Sequence, residues 1–482
     1  MEDRKSTLVG LGVASVVLGT ALYRQKYPVV PKPTTINSKW KASMGYTTDA
    51  TTASSNHVMA PDLDAFAKAM FMHFGVSDEH AELAAGVLSV RPIALTCAAR
   101  APLRLSLRLR LLRRARNLFL THSTSLFVSC ARPQMANIRG VDSHGVARLF
   151  TYYELLKEGK INPRPNIREI RGEGRSVGTV DGDNGLGLVV GPIANRIAMD
   201  KAEKHGSGAV SVCNTNHFGI AGYYPIKALE RDMIGMAMTN TTKLVAPCFG
   251  IERMLGTNPI AIAFPSTDPA APIVIDMATS VVAYGKVEEY RRSGKVMPPG
   301  MCITTDGTSE CSPADMQGKA GSLLTVGINR KLGQHKGYCL SSMVDILCAL
   351  LSGANWGPFA PPFSLRGGIN ADKTYKGKER PGKGIGHFFS AYKIEDFRDV
   401  GEFKSEIDDW ISVFRSTDAE PGQKVLIPGD PELAMVAERT ATGIPIKPAV
   451  EFLMRQIARE CDIPLPKGME VKRCADSEYV AR

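Results

Sequence analysis

The sequence predicts a mixed α/β fold, with a strand-and-helix core flanked by helical segments from both ends of the chain. From about residue 177, short apolar strands alternate with amphipathic helices, whereas helical periodicity dominates 61–89 and 402–461. The 482 residues are 44% hydrophobic and 22% charged, enough to bury a sizeable core.

Taken in order, residues Leu8 to Tyr23 form an uncharged run flanked by Arg4/Lys5 and Arg24/Lys26. As a helix these sixteen residues rise only about 24 Å, short of a hydrocarbon core of roughly 30 Å. The stretch 1–28 is therefore read as a short uncleaved anchor, attaching a cytosol-facing protein to an intracellular membrane. Residues 29–58, rich in Pro, Thr, Ser and Asn, read as a linker. Leu63, Phe66, Met70, Phe71 and Phe74 follow a helical repeat that Gly75 ends. Ser77 then caps a second helix with acids in its first turn. Strands are expected within 175–183, 208–215, 233–240, 259–266, 272–279 and 386–394, with helices at 191–206, 220–232 and 336–353. The domain boundaries that follow are 59–165 for an N-terminal helical part, 166–400 for an α/β domain and 401–482 for a C-terminal helical part.

The net charge of +11 suggests an anionic partner until its distribution is examined. Residues 90–134 contain nine Arg and no Lys, Asp or Glu, so 11 − 9 leaves about +2 for the remainder. Without this segment Ser89 joins Met135, and Leu83, Val87, Leu88, Met135 and Ile138 lie on one helical repeat. The segment shows no heptad and no helix face, and it starts with Val90 and ends with Gln134, whose codons can carry intron boundary letters. It reads as a retained intron, and no nucleic-acid partner is expected. Ten Cys with no CxxC pair read as reduced thiols in a cytosol-like compartment, and no His spacing suits a metal.

"GLGLVVG" (185–191) has one residue too many for G-x-G-x-x-G, which disfavours a Rossmann site. "RGVDSHGVAR" (139–148) is denser in chemistry. His144 can exchange a proton near neutral pH and Arg148, four residues on, can grip a carboxylate, a pairing suited to a 2-oxo or 2-hydroxy acid. Ser143 of this run, His217 at a strand end and Asn258 before Pro259 are candidate substrate contacts. Asp276 interrupts an apolar strand and needs a partner if buried, an imidazole being one choice. His335 and Lys336 open a long helix, where an anion is favoured. A cap or turn role explains each of these singly.

Together, "RGVDSHGVARL", "NTNHFGIAGYY", "LGTNPIAIAFP", "VIDMATS", "GQHKGYCL" and "GHFFSAY" resemble the malate/L-lactate dehydrogenase family, over about 57–89 and 135–465. The resemblance implies a non-Rossmann NAD(P)-binding domain, a small 2-oxo/2-hydroxy acid substrate, a homodimer, and hydride transfer with NAD or NADP. It carries the acid/base role to His144, substrate binding to Arg148 and orientation of the histidine to Asp276. Cofactor contacts fall on Ile273, Val274, Ile275, Asp276, Met277, Ala278 and Thr279, on His335 and Lys336, and on Gly429, Asp430 and Pro431. Sister reactions on a cyclic imine or a sugar-derived keto acid share these residues, and the 90–134 segment offers a third outcome, an impaired enzyme.

Overall fold

A computed structural model describes residues 56–88, 136–293, 295–309, 311–317, 320–363 and 374–469. The stretch read as an anchor, the linker up to residue 55 and the Arg-rich segment 90–134 lie outside the described residues. Among the described residues, no helix is long and apolar enough to cross a membrane.

The chain begins with strand β1 (Asn56–Val58) and helices α1 (Ala60–His73) and α2 (Asp78–Leu88). Ser77 caps α2 as expected, its hydroxyl accepting the N–H of His80. Residues 136–140 are turns, although Ala136 and Ile138 enter the same core as Val87 and Leu88. Two short 3₁₀ turns, Asp142–His144 and Val146–Arg148, then lead into α3 (Leu149–Lys157).

The central sheet runs in the order β2 (Arg168–Arg171), β3 (Val177–Gly185), β4 (Ser207–Thr215), β12 (Ile385–Lys393), β5 (Met233–Thr239), β6 (Ile260–Phe264), β7 (Ile273–Met277). Only β3 and β4 pair in parallel, joined by α4 (Gly187–His205), and every other pair is antiparallel. The expected turn before a helix at 185–191 is there, with α4 starting inside it at Gly187. A Cβ on Gly187 would lie 2.2 Å from the Asn216 carbonyl oxygen, so this glycine allows the helix to seat against the strand-end loop carrying His217. The run serves packing.

Beyond the sheet come α5 (Tyr223–Ala228), α6 (Tyr284–Ser293), β8 (Cys302–Thr304), α7 (Pro313–Gln317), β9 (Gly321–Leu323) and α8 (Gln334–Asp345). A small hairpin follows, β10 (Thr374–Tyr375) with β11 (Lys378–Glu379). Cys302 and Cys311, 6.1 Å apart between Cα atoms, form a disulfide, which corrects the expectation of reduced thiols for this pair. Cys213, Cys248, Cys339, Cys348 and Cys461 are free.

The chain closes with α9 (Val400–Arg415), α10 (Asp430–Thr442), β13 (Ile444–Ile446) and α11 (Pro448–Cys461). β13 pairs antiparallel with β1, bringing the two ends of the described chain together. Leu63 and Phe71 of α1, Leu149 of α3, and Met454 and Ile457 of α11 all lie in one buried cluster. Each fully buried side chain of this kind contributes about 1.5–3 kcal/mol. The expected helical layer built from both ends is therefore present, and it seats the 142–148 loop.

Candidate active site

Four residues of "DSHGVAR" are held by their own backbone and by a distant helix. Asp142 forms a two-pronged pair with Arg439 of α10, at 2.6 Å and 2.9 Å. Asn137 donates to the same carboxylate (2.8 Å) and accepts the Val146 N–H (2.8 Å), while its carbonyl oxygen takes a further bond from Arg439. Gly145 is required here, because a Cβ would lie 2.0 Å from the Asn137 side-chain oxygen. This glycine breaks the helical path, so His144 and Arg148 sit on successive 3₁₀ turns and not on a single α-helix.

His144 is half-buried, its Nδ1 3.0 Å from the Ser143 hydroxyl. Its ring stacks on His217 with centroids 5.6 Å apart, joining two motifs 73 residues apart (217 − 144) in sequence. His217 stacks in turn on Phe363 at 4.2 Å, and its Nδ1 lies 2.7 Å from the Tyr152 hydroxyl. Arg148 spends its Nε on the Ser143 carbonyl (2.7 Å), leaving the two terminal nitrogens of the guanidinium for an incoming anion. Withdrawal from water, then the Arg148 charge, push His144 down to about 4. Burial, followed by His144, Arg148 and His387, holds His217 well below the ordinary histidine range. Both rings are neutral at pH 7.

The three segments assigned to cofactor binding are contiguous. The Val274 N–H donates to Pro428 (3.1 Å), and the left-handed Gly429 (φ 102°) lies against Val274, so 429–431 docks along the edge strand β7. The Val326 N–H donates to Thr279 (3.0 Å), and the Thr325 hydroxyl donates to Gln334 (3.0 Å), tying the end of that strand to the start of α8. There Arg330 meets the His335 ring at 2.6 Å, and Lys336 is exposed. Arginine, lysine and histidine at the N-terminus of a 12-residue helix suit the phosphates of a dinucleotide. Asp430 is committed elsewhere, to Arg415 (2.7 Å) and the Ile427 N–H (2.9 Å).

Two expectations change. Asp276 is exposed at the end of β7 and accepts the Gly222 N–H (2.8 Å) in place of an imidazole, because the strand ends there and α5 begins beside it. Its carboxyl end is nonetheless withdrawn from water, and that burial raises it to about 6, opposed by the Gly222 N–H and by the Arg139 charge. Asn258 is fully buried, accepting from the Thr241 N–H (3.2 Å) and donating to the Ser341 carbonyl (3.0 Å). That position is structural. Among the described residues, no group of three or more His, Cys, Asp or Glu is arranged to hold a metal.

Tyr152, Phe363 and Arg439 escaped the sequence reading. Tyr152 sits in an apolar helical run, and its partner lies 65 residues away, so only the fold links them.

A histidine and an arginine gathered in one half-buried site, with a cationic helix start beside a mainly antiparallel sheet, suit an oxidoreductase of 2-hydroxy acids. The chain belongs to the malate/L-lactate dehydrogenase family, whose sequence profile matches residues 132–453, and it is a nicotinamide-dependent dehydrogenase. The malate dehydrogenase of Pyrococcus abyssi is 42% identical over 339 residues, 70% of this chain and 88% of that protein. The malate/(S)-sulfolactate dehydrogenase of Methanothermus fervidus is 35% identical, over 68% of this chain and 89% of its own. The crystal structure of malate dehydrogenase from Entamoeba histolytica superposes with a TM-score of 0.69 at 30% identity, covering 86% of this chain and all of that one.

Proposed function

We propose that the protein interconverts a small 2-hydroxy acid of malate or lactate type with its 2-oxo acid, using NAD or NADP, with His144 exchanging the proton. The observation that carries this reading is the clustering of His144, His217 and Arg148 in one half-buried site. The terminal nitrogens of Arg148 bind the substrate carboxylate, which fixes C2 and its oxygen beside His144. In the oxidative direction neutral His144 takes the hydroxyl proton; in the reductive direction its protonated form returns a proton to the developing alkoxide. The nicotinamide cofactor, when bound, supplies or accepts the hydride. Ile273–Thr279 and Gly429–Pro431 would hold it by backbone contacts along β7, with His335 and Lys336 at its phosphates.

We further infer a homodimer. Leu340, Met343, Ile346, Leu350 and Leu351 leave an exposed apolar stripe along α8 and the turn that continues it, which supports a second copy as its cover.

The test is a panel of 2-oxo acids followed by NADH or NADPH oxidation, with oxaloacetate- or pyruvate-like acids expected to turn over. A panel that leaves both cofactors unoxidised overturns the reading.

A further inference from the structure

We propose that Tyr152 is a positioning residue that fixes His217 as a neutral Nε2–H donor, so that the two stacked histidines have different tasks. His144 exchanges the proton, whereas His217 donates a fixed hydrogen bond to the substrate. The inference rests on the 2-hydroxy acid reading above.

The tautomer follows from one unambiguous donor. The backbone N–H of Gly219 points at His217 Nδ1 from 3.3 Å, and a backbone amide can only donate. Nδ1 must therefore hold a lone pair, and the ring proton sits on Nε2. The Tyr152 hydroxyl, 2.7 Å from the same Nδ1, then donates as well. Tyr152 is completely buried in α3, and Phe363 lies against it edge-on (5.1 Å), so the hydroxyl is held where it is. Phe363 also covers the His217 ring, which lies between Phe363 and His144. Burial, then His144 and Arg148, disfavour a second proton on His217. A buried imidazole with two donors on one nitrogen is thus a one-way hydrogen-bond donor through the other.

Tyr152→Phe keeps the ring and removes the hydroxyl. In the full-length protein, ¹⁵N spectra of His217 should show Nε2 protonated in the wild type; in Tyr152→Phe only the longer Gly219 contact (3.3 Å) still holds that tautomer, so a fraction protonated on Nδ1 should appear. KM for the 2-oxo acid should rise about tenfold, as for one lost hydrogen bond, with kcat and the cofactor KM within about twofold. A purely structural role would instead lower the active fraction, and with it kcat, at unchanged KM. His217→Gln, whose amide nitrogen takes the place of Nε2, should retain most substrate affinity and be indifferent to Tyr152→Phe, whereas His217→Phe should lose that affinity. A wild-type ring protonated on Nδ1, or a Tyr152→Phe protein with unchanged tautomer and unchanged KM, overturns the proposal. Turnover of no 2-oxo acid by the wild type overturns the enzymatic reading alone, because the tautomer measurement needs no substrate.

Discussion

The neutrality of His144 sets the direction of its pH dependence. With the free-enzyme ring near 4, kcat/KM for hydroxy-acid oxidation should rise as pH climbs through that value and level off above it. Oxo-acid reduction, which needs the protonated ring, should fall over the same range. A bound carboxylate neutralises Arg148, so kcat for reduction should persist to higher pH than kcat/KM. Arg148→Gln removes the cation that helps depress the ring. Its kcat/KM profile should shift upward in pH, and KM for the acid should rise. Initial rates from pH 4 to 9 read both effects. His144→Asn should lower turnover about 10²–10⁴-fold, with cofactor affinity, followed by nicotinamide fluorescence, unchanged. At this scale the sequence showed the residue types that carry chemistry, but not which would meet. His144 and His217 were legible as separate motifs, and their stacking depends on α4 seating at Gly187.

Among elements, the controlling contact is that of α10 with the 142–148 loop. Arg439 is nearly buried, and it ends on Asp142, two residues before His144. Arg439→Leu would leave a half-buried carboxylate without its cation. The expected loss is about 3 kcal/mol, the lower part of the range for a broken buried pair, because Asp142 keeps some exposure. Urea unfolding measures that loss, and kcat should fall with it as the loop loosens. Most helices were legible from periodicity, including α10 and the chain-closing α11, as were β3 to β7 and β12, whereas β1, β2, β8 to β11 and β13 were not. The 3₁₀ turns at 142–148 were not, since nothing local in the sequence reveals that Asn137 occupies the space beside Gly145. Asp276 misled for a related reason: an apolar run gives a strand, but not the point at which its end emerges into solvent.

For the whole molecule, both flanks of the Arg-rich segment contribute to one core, Val87 and Leu88 on one side and Ala136 and Ile138 on the other. We propose that residues 90–134 are dispensable, as a retained intron would be. A protein joining Ser89 to Met135 should melt no lower than the full chain and keep or exceed its kcat/KM. Its net charge should drop from +11 by nine to +2, read as weaker retention on a cation exchanger. The fold class and the helical layer from both ends were legible because they follow from patterning along the whole chain. The mainly antiparallel sheet order was not, since the strand nearest its middle, β12, comes from residues 385–393. The pairing of β1 with β13, together with the grip of Arg439 on Asp142, also bears on how the enzyme is made. A ribosome translates the histidine loop about 300 residues before the arginine that anchors it (439 − 142 = 297). A nascent chain stalled anywhere in between has the His144 loop and its Asn137 contacts but not the Arg439 clamp. Ordering of the 142–148 loop should therefore lag its own synthesis until α10 has been made.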